Sequence, residues 1–133
     1  MIKVFLAHGI DSGPDRGKGT RDYFVKLIKE CGCEVVGAGV AGNPIVAVDS
    51  SVGVCKAIIR HDLLEVSQAH VTLVVEDGVP KVGTWIEAWE AYKLGQYVLV
   101  FGKTNSVFLK GIADEITTSV IHLRRVLKSL GGI

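Results

Sequence analysis

Strand-length apolar runs alternate with helix-length amphipathic segments along this chain. The pattern predicts an α/β doubly wound domain, flavodoxin-like or Rossmann-like, with a mainly parallel five-stranded sheet in the order 2-1-3-4-5. Three observations carry that expectation. The apolar runs are continuous rather than alternating, as in strands covered on both faces. The segments between them have helical periodicity and tend to end at glycine. The chain has 133 residues, 48% apolar and 22% charged, enough for one hydrophobic core and too few for two. A single domain over residues 1–133 is therefore expected.

Taken in order, residues 2–7 read as a buried strand, followed by a glycine-rich loop over 9–19. Thr20 is a candidate cap for a helix through about Glu30, with Tyr23, Phe24, Leu27 and Ile28 on one face. Gly32 ends it, and residues 34–38 form a second strand. A loop containing Pro44 leads to Asp49, Ser50 or Ser51 as the cap of a helix reaching Ser67, with Val54, Ile58, Leu63 and Val66 as its apolar stripe. Residues 71–75 are all β-branched or leucine and read as a central strand. After a loop over 76–82, Gly83-Thr84 opens a helix that stops at Gly95, and residues 97–101 are a fourth buried strand. A short helix over 107–113, a short edge strand over 115–117 and a last helix over 120–130 complete the chain.

Composition removes several function classes. A net charge of +1 lacks the basic excess of a dedicated nucleic-acid binder. The apolar content excludes intrinsic disorder. Glycine is abundant, with 16 residues, but has no triplet period, so collagen is excluded. Mean hydropathy is +0.36, yet no apolar run approaches the roughly 20 residues of a spanning helix, and nothing at the start has a signal-peptide pattern. Cys31, Cys33 and Cys55 are odd in number, and Cys31-Gly32-Cys33 lacks the two-residue spacer of a zinc or redox pair. Buried reduced thiols and a soluble cytoplasmic protein are expected. His8, His61, His70 and His122 show no metal-ligand spacing.

The fold class directs attention to the carboxyl ends of the strands, where open parallel sheets bind ligands. There, the loop after the first strand is not a nucleoside-triphosphate loop. Between Gly13 and Gly17 it has three residues where four are needed, and Gly19 stands where a hydroxyl should follow Lys18. What remains is a loop carrying Arg16, Lys18 and Arg21 that can hold an anion, with His8 and Gly9 at the strand's end. Glu87 falls, on this reading, in the first turn of the helix after the third strand, where the positive end of the helix dipole would keep it ionised. Gly83 beside it would admit a ligand close to the backbone. Asp62 lies on the preceding helix.

The segment from Asp62 through Val75, the turn Val82-Gly83-Thr84-Trp85-Ile86-Glu87 and the stretch from Ala91 through Val100 together resemble the nucleoside 2-deoxyribosyltransferase superfamily, including its nucleoside 5′-monophosphate N-glycosidase branch. The opening Val4-Phe5-Leu6-Ala7 strand is similar as well. The resemblance implies cleavage of an N-glycosidic bond through a glycosyl-enzyme intermediate. Glu87 matches the nucleophile, and Asp62 a carboxylate that binds or protonates the leaving base. Water as acceptor makes the protein a hydrolase; a second base makes it a transferase. No metal or organic cofactor is implied. A homodimer or higher homo-oligomer is, with the region after Gly102, including Asn105 and Ser106, as the place for a donor to a neighbouring site. The small molecule is a nucleoside or nucleotide, with no nucleic-acid polymer and no membrane involved.

Two positions depart from the pattern. Phe5 stands where the family commonly has a tyrosine whose hydroxyl approaches the nucleophile. Lys81 stands where family members carry an acid near the sugar hydroxyls or a small phosphate-binding residue. A lysine cannot accept from a hydroxyl but can bind phosphate as a point charge, so Lys81, with Arg16 or Lys18, points to a 5′-monophosphate. A non-catalytic nucleotide-binding module of the same fold is the rival expectation. A phosphoribohydrolase with a Gly-Gly-x-Gly-Thr-x-x-Glu turn is a third, weakened because the first glycine pair is missing here.

Overall fold

Each apolar run becomes a strand of one sheet in the computed structural model, which describes residues 1–8, 18–37, 52–76 and 82–131. The strands are β1 (Lys3–Ala7), β2 (Glu34–Val36), β3 (Val71–Val75), β4 (Tyr97–Phe101) and β5 (Glu115–Thr117). All pairings are parallel, and the order is β2-β1-β3-β4-β5, as the sequence predicts. Every residue of β3 is buried, which is why that run is continuously apolar. The edge strands β2 and β5 are only three residues long, which limits the unpaired backbone they present.

Side chains alternate across β1. Val4 and Leu6 enter a core with Leu73 and Leu99 beneath α1 (Lys18–Glu30) and α5 (Val120–Gly131), which contribute Phe24, Leu27, Ile28, Leu123 and Leu127. Phe5 and Ala7 point the other way, into a core with Val74, Val98 and Val100. That face is covered by α2 (Val52–Gln68), α3 (Val82–Lys93) and α4 (Val107–Ile112), through Val66, Ala88, Ala91, Leu109 and Ile112. Helices on both faces make the sheet doubly wound. The chain reverses direction across it between β1 and β3, the place where such sheets open a crevice.

Several expectations are corrected. Thr20 lies inside helix α1 rather than capping it, so Lys18 and Arg21 are helical and not loop residues. Its polar opening residues carry no apolar period to mark the start. The proposed caps of α2 at 49–51 lie outside the described residues. Helix α3 starts at Val82, before the expected Gly83-Thr84. Cys31 and Cys33 are buried as expected, but Cys55 is exposed on α2. Gly131, in the last turn of α5, is a packing position. A Cβ there would lie 3.1 Å from the Cys31 carbonyl oxygen and 3.2 Å from Cys33 Sγ.

The strand ends place His8 after β1, Gly37 after β2, Glu76 after β3 and Gly102 after β4. Two of these depend on glycine. Gly102 has φ +119°, and a Cβ there would fall 2.0 Å from the Glu76 carbonyl oxygen. Gly37 has φ +143°, and its Cβ would meet the Leu6 backbone at 3.3 Å. The rim over the sheet is thus closely packed backbone.

Candidate active site

Helices α2 and α3 pack against each other, and this contact brings carboxylates from both together. Asp62 and Glu65 lie three residues apart on α2, so they share a face. They are 7% and 8% exposed. Glu87 reaches the same region from α3 and is partly buried. Glu65 accepts a hydrogen bond at Oε2 from the Gly37 backbone N–H, 3.2 Å away. His61 Nε2 stands 2.9 Å from Glu65 Oε1, an ion-pair approach rather than an aligned hydrogen bond.

Burial and like charge set the protonation of this group. Burial is the main cause that pushes the Glu87 carboxyl up to about 8, and the charges of Asp62 and then Glu65 add to it. Asp62 is also raised, first by burial and then by Glu65, with His61 opposing. This overturns the expectation that a helix N-terminus keeps Glu87 ionised. Because α3 starts at Val82, Glu87 is in the second turn, where the dipole has weakened. Desolvation and two neighbouring carboxylates outweigh what remains.

A further buried carboxylate anchors the start of α3. Glu76, just past β3, is buried and accepts a hydrogen bond at Oε2 from the Trp85 indole N–H at 3.1 Å. Its backbone N–H donates to the Phe101 carbonyl at 2.8 Å. The first turns of α3, and with them Glu87, are therefore tied to the ends of β3 and β4.

Asp62 on α2 and Glu87 on α3 lie near enough for the charge of the first to act on the second. Phe5 is 1% exposed and sits in the core beneath α2 and α3. His8 is partly buried at the end of β1. Gly83 is exposed, with nothing within 4 Å of where a Cβ would stand, so the described packing does not itself require a glycine there. Gly9, Arg16 and Lys81 lie outside the described residues. Ser106 caps α4 by accepting from the Leu109 N–H at 3.1 Å. Sequence reasoning missed Glu65, whose signal was its spacing of three from Asp62, and also the Glu76–Trp85 pair. Among the described residues, no group of three or more His, Cys, Asp and Glu side chains is arranged to hold a metal ion. No described helix is long and apolar enough to cross a membrane.

The architecture has close counterparts among known structures. A 2-deoxyribosyltransferase from the psychrotolerant bacterium Bacillus psychrosaccharolyticus superposes with a TM-score of 0.75 at 18% identity, covering 94% of this chain and 95% of the other. The chain has the fold of the nucleoside 2-deoxyribosyltransferase superfamily. The CMP N-glycosidase BcmB of Clostridium botulinum shares this fold, with a TM-score of 0.59 at 15% identity over 96% and 98% of the two chains. So does a conserved protein from Enterococcus faecalis V583, at 0.72 and 15% over 98% and 99%. No family model and no curated protein sequence matches the chain. Within this deoxyribosyltransferase fold, the stretch that carries the sequence resemblance is α2, β3, α3 and β4.

Proposed function

We propose that this protein cleaves the N-glycosidic bond of a nucleoside or nucleoside 5′-monophosphate through a glycosyl-enzyme intermediate. The observation that carries the reading is the pair formed by Asp62 and Glu87, two carboxyls from different helices close enough for one to raise the other. Retaining glycoside cleavage needs such a pair, one carboxylate to attack and one acid to protonate the leaving group. The similarity in fold to a deoxyribosyltransferase and a CMP N-glycosidase supports it.

The chemistry follows from sharing a single proton. Below about pH 8 the pair retains at least one proton. Attack uses the arrangement in which that proton rests on Asp62 and Glu87 is ionised. A Glu87 oxygen bonds to the anomeric carbon as the carbon–nitrogen bond breaks, and the departing base takes its electron pair and the Asp62 proton. Asp62, now a carboxylate, deprotonates water or a second base. That nucleophile attacks the anomeric carbon and releases Glu87 as a carboxylate, leaving Asp62 protonated as at the start. Hydrolysis or transfer differs only in the acceptor.

Lys81 and Arg16 are the groups for a 5′-phosphate, so monophosphates are the expected substrates; equal cleavage of nucleoside and monophosphate would remove that assignment. A homo-oligomer accompanies this reading. Trp85, Phe108, Trp89 and Tyr92 form a run of ring contacts across α3 and α4, and Trp89, Tyr92, Ile86 and Val82 are exposed, a surface suited to a second copy.

The test is free-base release from a panel of nucleosides and 5′-monophosphates. Wild type should release base with kcat/KM falling about tenfold per pH unit above pH 8, and Glu87→Gln should lose at least about 10³-fold. The non-catalytic module, which the buried Phe5 favours because it offers no hydroxyl, instead predicts tight nucleotide binding with no release.

A further inference from the structure

Glu76 is a buried carboxylate that the proposed chemistry does not use. It stands just past the carboxyl end of β3 and is 8% exposed, a place where a charged group without partners would cost stability. Its Oε2 accepts from the Trp85 indole N–H at 3.1 Å, and this bond spans the connection from β3 to α3. The helix is held unevenly along its length. Ala88 and Ala91, in its later turns, are wholly buried in the core beneath it. Val82 and Ile86 are exposed, and Gly83 has open space where a Cβ would stand. Ahead of Glu87, Thr84 is buried and Trp85 ties the helix to the strand end. The Trp85 ring also meets Phe108 of α4, with ring centroids 6.4 Å apart. Glu76 is itself fixed. Its backbone N–H donates to the Phe101 carbonyl at 2.8 Å, and its carbonyl packs against Gly102, where no Cβ would fit. The acceptor is thus held in place, and the donor lies two residues before Glu87 on the same helix.

We propose that Trp85 and Glu76 are positioning residues, whose hydrogen bond sets the place of the opening turns of α3 and so the aim of the Glu87 carboxylate. Glu76 serves as a hydrogen-bond acceptor and takes no part in proton transfer. A reacting group must be held within about 0.5 Å of its productive place, and the groups that lock it there need not touch substrate. Attack at carbon is sensitive to a shift of the helix, since a misplacement of about 1 Å can cost about 10²-fold in rate. The inference deepens the glycosidic reading and rests on it for the reaction that is being positioned. The hydrogen bond itself can be followed without turnover.

The experiment follows the indole N–H signals of Trp85 and Trp89, the two tryptophans of the chain, by hydrogen exchange in the whole protein. Beside it, kcat and KM are measured with the best cleaved nucleoside or 5′-monophosphate. In wild type the Trp85 N–H should exchange at least about tenfold more slowly than that of the exposed Trp89. Trp85→Phe keeps a ring beside Phe108 but has no donor. It should lower kcat about 10- to 100-fold while KM changes by less than about twofold. Glu76→Ala should do the same and remove the protection of the Trp85 N–H. Glu76→Gln keeps an acceptor, so protection and kcat should both stay within about threefold of wild type. An unchanged kcat in Trp85→Phe or in Glu76→Ala would overturn the inference, as would a loss carried wholly by KM. Glu76→Gln as inactive as Glu87→Gln would overturn it too, because Glu76 would then act through its charge. If Trp85→Phe does not fold, the contrast between Glu76→Gln and Glu76→Ala decides. Rapid exchange of the Trp85 N–H in wild type would overturn the bond on which the role depends. Absence of base release with that N–H protected would instead remove the glycosidic reading and leave the anchor of α3 standing.

Discussion

Glu87 is costly to the folded protein at the pH where it would work. Its carboxyl titrates near 8 in the fold against 4.5 as the ordinary value, so the folded state binds its proton more tightly than the unfolded chain. The contribution is fully present below pH 4.5 and is lost as pH rises through about 8. Glu87→Gln removes that loss. Urea unfolding should find the variant more stable than wild type by an amount on the order of a few kcal/mol at pH 8. The difference should shrink to nothing near pH 4.5. Stability gained with activity lost marks a side chain retained for function. That Asp62 and Glu87 are candidates was legible in the sequence, through their motif spacing. Their protonation was not, since it depends on burial and on Glu65 arriving from the same face of α2.

At the scale of the element, the short rim segments set the geometry of the site more than the helices do. Gly102 lets the end of β4 pass the Glu76 carbonyl, and Glu76 in turn holds Trp85 at the start of α3. Gly102→Ala would force a Cβ against backbone in a conformation that side-chain-bearing residues rarely adopt. It should cost about 2–4 kcal/mol by chemical denaturation. It should also lower base release, because the anchor of α3 shifts with Glu76. A stability change under about 0.5 kcal/mol would contradict this account. The strands β3, β4 and β5 agree with their sequence boundaries because continuous apolar runs leave little choice of register. The beginnings of α1 and α3 did not agree, since Lys18 and Val82 are already helical. Helix starts are decided by capping and rim contacts that no periodicity records.

For the whole molecule, the two-faced core and the exposed aromatic surface point in different directions. The core on each side of the sheet is closed by helices, whereas Trp89, Tyr92 and Ile86 on α3 remain open. Sedimentation should show a dimer or larger assembly, and Trp89→Glu should shift it toward monomer without unfolding it, since Trp89 is not part of either core. A monomeric wild type would remove the second copy from the proposed function. The sequence by itself determined the architecture: apolar runs of strand length separated by amphipathic helices admit few ways to bury both faces of a sheet, and the strand order followed. By motif it also singled out Asp62 and Glu87 as candidates. Only the tertiary structure decided that Glu65 joins them, that Glu87 lies in the second turn of α3, and that burial with like charge overrides the helix dipole. Periodicity is local and survives in one dimension. The free energy of a proton on a carboxyl is set by what the fold brings within a few ångströms, and by how much water it keeps out.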